Sequence, residues 1–94
     1  MIVEQAVFAV KDAEAFEAAF AEARKFIQAS PGFQRLEMRR GIEARDSFLL
    51  LVWWDSVEAH MQGFRQSEAF TQWRALLGPH FAAAPQVQHF DQTL

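Results

Sequence analysis

The chain contains no cysteine, which excludes disulfides, thiolate nucleophiles and iron–sulfur ligation and suits a reducing compartment. It has no basic excess either. Twelve acidic residues face nine basic ones, for a net charge of −3, so nothing is left over to neutralise a phosphate backbone and no nucleic-acid partner is expected. There is no glycine-rich phosphate loop, no Gly-x-Ser-x-Gly elbow and no closely spaced carboxylate pair of the glycosidase kind. The longest apolar run, Phe48 to Trp54, is seven residues, far short of the about 20 that cross a bilayer as a helix, so no membrane partner is expected. The opening Met1-Ile2-Val3-Glu4 lacks the basic start and long apolar stretch of a signal peptide, and a cytoplasmic location is expected. His60, His80 and His89 show no ligand-type spacing, so no metal site is expected. No repeat, linker or low-complexity tract divides the 94 residues, which read as a single domain over 1–94.

What is present is apolar. Half the residues are hydrophobic and ten are phenylalanine, enough for a real core in a small domain. The run Phe48-Leu49-Leu50-Leu51-Val52-Trp53-Trp54 fits a strand buried on both faces, with Phe48, Leu50, Val52 and Trp54 on one side and Leu49, Leu51 and Trp53 on the other. Ile2 to Val10 is a second strand of this kind, with Glu4 and Gln5 its only polar residues. Asp12 is placed to cap a helix whose Phe16, Ala19, Phe20, Ala23 and Ile27 recur at helical spacing, and Ser30-Pro31-Gly32 ends it. Phe33 to Arg40 is a charged strand, with Gln34, Leu36, Met38 and Arg40 on one face and Phe33, Arg35, Glu37 and Arg39 on the other. Such a strand belongs at a sheet edge.

After the apolar strand, Asp55-x-x-Glu58 resembles a capping box. Its helix puts Val57, His60, Met61 and Phe64 on one face, is weakened by Gly63, and restarts near Ser67 with Phe70, Trp73, Leu76 and Leu77 in a stripe. Gly78-Pro79 stops it, and Gln86 to Asp91 is a last short strand. The order β-α-β-β-α-β predicts an α+β, ferredoxin-like fold with a four-stranded antiparallel sheet whose central strands are the first and third. Those are the two strands with the least charge. Helices can cover one face of this sheet; the other is expected to meet a second copy, giving a homodimer through sheet faces.

The residues from Phe48 through Trp54-Asp55-Ser56 to His60, then Gly63-Phe64-Arg65-Gln66-Ser67-Glu68-Ala69-Phe70 to Arg74, resemble the antibiotic biosynthesis monooxygenase family. So do the Ser30-Pro31-Gly32-Phe33 turn and the phenylalanine-bearing first helix. The resemblance implies dimerisation into an α+β barrel, with a cavity between sheet and helices in each subunit. The family holds cofactor-independent monooxygenases acting on aromatic polyketides, haem-degrading enzymes and quinol-oxidising enzymes. Its haem-degrading branch carries an Asn, a Trp and a His at positions that fall near Gln5, at Gly63 and at Arg74 here, so haem degradation by that mechanism is not expected.

By this resemblance the expected activity is a cofactor-independent oxidation of a small aromatic or quinol-type molecule. His60 is the candidate base, Gln5 the candidate donor to a developing oxyanion, and Trp54, Phe64, Phe70 and Trp73 the candidate cavity walls. Of Glu4 and Gln5, alternation leaves open which faces the cavity, just as it leaves open which of Trp53 and Trp54 meets the partner. His80 and His89 read as surface residues. The competing functions are a non-catalytic binding protein that uses the same cavity for an apolar small molecule or haem, and a family member without detectable activity.

Overall fold

Two apolar strands pair along their whole length and fix the rest of the arrangement. In the computed structural model, which describes residues 1–94, β1 (Ile2–Ala9) lies antiparallel to β3 (Ser47–Trp54), in a register running from Ile2 opposite Trp54 to Ala9 opposite Ser47. The charged β2 (Phe33–Arg40) flanks β3 and the short β4 (Gln86–Phe90) flanks β1, giving the order β2-β3-β1-β4 of a ferredoxin-like α+β fold. The helices α1 (Ala13–Gln28) and α2 (Glu68–Leu77) cover one face only. Phe16, Ala23 and Ile27 of α1 and Trp73 and Leu77 of α2 pack there on Ala6, Phe8, Phe48, Leu50, Val52 and Trp54. No helix is long and apolar enough to cross a membrane.

The caps explain where the helices begin. Asp12 accepts a hydrogen bond from the Ala15 amide (2.9 Å), and Ser67 accepts one from the Phe70 amide (3.2 Å). The expected Asp55–Glu58 box does not form. Ser56 takes over by accepting from the Ala59 amide (3.1 Å), while the Asp55 carboxylate accepts from the Gln34 side chain and ties the start of β2 to this turn. The alternation expected for β2 also breaks. A bulge between Phe33 and Arg35 lets Phe33 turn inward against Trp54, edge to face at 6.1 Å, while Arg35, Glu37 and Arg39 stay outward.

Gly32 carries the one positive φ in the chain, 86°, and a Cβ there would sit 2.6 Å from that of Ala59. Both strain and clash oppose a side chain at this turn. Gly32→Ala is expected to cost about 2 kcal/mol, measurable as a lower urea midpoint with an unchanged slope.

Candidate active site

The site grows from a register and a widened helical turn. β4 pairs with β1 so that Glu4 faces His89 and Ala6 faces Val87, all on the helix-covered side of the sheet. The segment Ala59–Phe64 is π-helical, closed by the Arg65 amide donating to the His60 carbonyl at 2.8 Å. Along this stretch His60 and Phe64 are buried while Val57 and Met61 are exposed, unlike the four-residue face expected from α-helical spacing. Such single π-turns are frequent at functional sites.

The polar groups then form a chain. The indole Nε1–H of Trp54 donates to Glu4 Oε1 (2.9 Å), and His60 Nε2 lies 3.3 Å from the same oxygen. On its other side His60 Nδ1 is 2.8 Å from His89 Nε2. Glu4 is only 4% exposed and His60 2%, with the imidazole stacked on the Trp54 ring at 5.3 Å. No buried side-chain polar atom lacks a partner.

Burial pushes the Glu4 carboxyl up to about 7, against the opposing pull of the Trp54 hydrogen bond and the nearby Arg65. Burial also holds His60 down to about 4, reinforced by the positive charge that His89 and Arg65 would present to an imidazolium. The 3.3 Å contact is short enough for a salt bridge, yet its two charged forms do not coexist. Glu4 ionises above about 7, where His60 is long since neutral. The contact is therefore a hydrogen bond, either between two neutral groups or between a carboxylate and a neutral imidazole.

Glu4 and His60 border a cavity of about 600 Å³ between the sheet and α2, a size typical of small-molecule sites. Its wall is largely apolar, from Phe64, Phe70 and Trp73 across to Phe81 and Ala82–Pro85, and Arg65 and Arg74 are its only cations. His60, Phe64, Phe70 and Trp73 are thus brought together on one cavity. Trp54 is not on its wall. The residue is fully buried behind His60 and holds Glu4 instead.

Gln5 lies on the opposite sheet face, paired across β1–β4 with Gln88, and cannot reach the cavity of its own subunit. Alternation gives that place to Glu4. His89, read as a surface residue, is half-buried against His60. Val87 and His89 share a face, and that was the available signal; the register that sets them beside Ala6 and Glu4 was the missing one. His80 sits apart, edge-on to Phe16 at 6.4 Å. Of the three positions relevant to haem degradation, Gln5 faces away, Gly63 has no side chain to offer, and Arg74 borders the cavity.

Residues 1–76 match the family model described as antibiotic biosynthesis monooxygenase. The uncharacterised protein YczJ of Bacillus subtilis is 34% identical over 93 residues, 97% of this chain and 98% of its own length. A crystal structure from Bordetella bronchiseptica described under the same family name superimposes with a TM-score of 0.93 at 39% identity, covering 99% of this chain and 97% of the other. SnoaB, a cofactor-independent oxygenase from Streptomyces nogalater, has the same fold (TM-score 0.86, 19% identity, 99% and 93% covered).

Proposed function

The chain belongs to the antibiotic biosynthesis monooxygenase family, and from that membership we propose that it oxidises a small aromatic or quinol-type substrate with O₂, without a cofactor, inside the cavity between sheet and α2. One observation carries the reading: a carboxyl buried beneath Trp54 and His60, and raised to about 7 by that burial, opens on a largely apolar cavity. A general base works best when its pKa is close to the working pH. Glu4 meets that condition, and His60, neutral down to about 4, does not. The base is therefore Glu4, and His60 is the group that exchanges a hydrogen bond with it.

For an anthrone-type substrate the chemistry balances as follows. The Glu4 carboxylate takes a proton from the activated CH₂, and the electron pair stays on the substrate as a stabilised carbanion. The carbanion gives an electron to O₂, and recombination forms a carbon–oxygen bond to a peroxide anion, which takes a proton back from Glu4. Loss of water from the hydroperoxide, with the remaining hydrogen of the same carbon, leaves a carbonyl. The carbon is oxidised from CH₂ to C=O, and O₂ is reduced to that carbonyl oxygen and one water. The apolar wall keeps the carbanion from bulk protons, and Phe64, Phe70 and Trp73 offer faces to a flat ring.

The test is oxygen uptake with a panel of anthrones and hydroquinones. Uptake by the unmodified protein and a drop of about a hundredfold in Glu4→Gln are expected. Tight binding of panel members with no uptake at any pH would refute the oxygenase reading and leave a binding protein.

A further inference from the structure

Three titratable side chains from three separate elements meet in a line: Glu4 of β1, His60 of the π-helical turn and His89 of the edge strand β4. Their links are 3.3 and 2.8 Å, and the first two are buried. We propose that Glu4, His60 and His89 form a proton relay that joins the cavity to the sheet edge, with His89 as the group that exchanges the proton with solvent.

The atom pairing permits this without any imidazolium. When Glu4 is protonated it donates to His60 Nε2. His60 then carries its proton on Nδ1 and donates to His89 Nε2, and His89 carries its own on Nδ1. Deprotonation moves each proton one place along. The Glu4 proton passes to His60 Nε2, the His60 Nδ1 proton passes to His89 Nε2, and the proton on His89 Nδ1 leaves to water. Two protons remain in the line where there were three, and the only charge formed is the carboxylate. Burial that disfavours imidazolium at His60 therefore does not block the path. The Trp54 indole holds the carboxyl in place in both states, since Glu4 Oε1 accepts from it throughout. The charged groups that bear on the line are Arg65 beside Glu4 and His60, and the members themselves. His89 suits the outer end because it is half-buried on a strand whose Val87, Gln88 and Phe90 are exposed.

The relay rests on the oxygenase reading for its purpose, since it exchanges the Glu4 proton with solvent and so resets the carboxylate between turnovers, but its existence is testable without turnover. Long-range ¹H–¹⁵N correlation spectra of histidine-labelled protein report which ring nitrogen carries the proton. His60 is expected to change from the Nδ1–H to the Nε2–H tautomer as pH rises, with the midpoint near 7 of the Glu4 carboxyl. Glu4→Gln should abolish the change. A single His60 tautomer from pH 5 to 9, or a tautomer change that persists in Glu4→Gln, would overturn the relay. In turnover, His89→Gln keeps a hydrogen-bonding side chain but cannot pass a proton. It should lower kcat on the order of tenfold, less than loss of the base itself, with free imidazole restoring the rate; a loss that imidazole does not restore would count against the relay. No oxygen uptake by the unmodified protein would sink the oxygenase reading, while the tautomer spectra still judge the relay.

Discussion

Glu4→Gln is expected to make stability climb by roughly 2–3 kcal/mol as pH rises from 4 to 7, and His60→Gln to make it fall by a similar amount over pH 4.5 to 7.5. The unmodified protein should show a much flatter profile. The Glu4 carboxyl titrates near 4.5 in the unfolded chain and about 7 in the folded one. Its contribution is complete below 4.5 and is lost as pH rises through 7. The His60 imidazole goes from 6.5 unfolded to about 4 folded. Its contribution is complete above 6.5 and is lost as pH falls through 4. Between about 4.5 and 6.5 the two slopes oppose each other, so each single variant uncovers the other group. Gln can accept from Trp54 at position 4, which keeps the packing. Urea unfolding across pH 4 to 8, read as a difference from the unmodified protein, cancels other carboxylates. One such is Glu37, held low by its hydrogen bond to Arg39 and by Arg35 despite some burial cost. Three parallel profiles would mean that neither group is perturbed by burial.

Much of the fold is legible in the sequence because two strands carry almost no charge and one carries a great deal. A central position needs apolar residues on both faces, so Phe48–Trp54 and Ile2–Ala9 could go nowhere else, and Arg35, Glu37 and Arg39 forced β2 to an edge. The same two-faced apolarity hid the site. Because both faces of β1 are apolar apart from one polar residue each, alternation could not say whether Glu4 or Gln5 looks inward, and only the hydrogen bond from Trp54 and the pairing with His89 decide. A one-residue slip of β4 would have sent His89 outward. The π-helical turn and the bulge after Phe33 are further local departures from ideal period. Each changes which way a side chain points: Met61 in the first case, Phe33 in the second.

Leu51→Asp is expected to convert a dimer into a monomer. The sheet face opposite the helices presents Leu49, Leu51 and Trp53 of β3 beside Val3, Gln5 and Val7 of β1, with Phe90 on the β4 side. No helix of the subunit covers it, and Val7 is 45% and Phe90 47% exposed. Arg35 lays its guanidinium over the Trp53 ring at 4.6 Å, and Glu37 pairs with Arg39 at 2.9 Å and with Arg35, so charge borders this apolar strip along β2. An apolar centre with a polar margin is the pattern of a stable protein interface, and we propose that a second copy packs on it about a twofold axis. Leu51 sits mid-strand, opposite Gln5 on one side and Glu37 on the other. An aspartate there would bury an unpaired carboxylate at the interface, close to Glu37. A penalty of about 4 kcal/mol weakens association about a thousandfold. Sedimentation at micromolar protein should give twice the 10.8 kDa chain mass for the parent and the chain mass for Leu51→Asp. Far-UV circular dichroism should stay the same, and the Glu4 and His60 titrations should be unmoved, because the cavity lies on the other face of the sheet. A monomeric parent at that concentration would refute the interface. So would a Leu51→Asp variant that stays folded and dimeric.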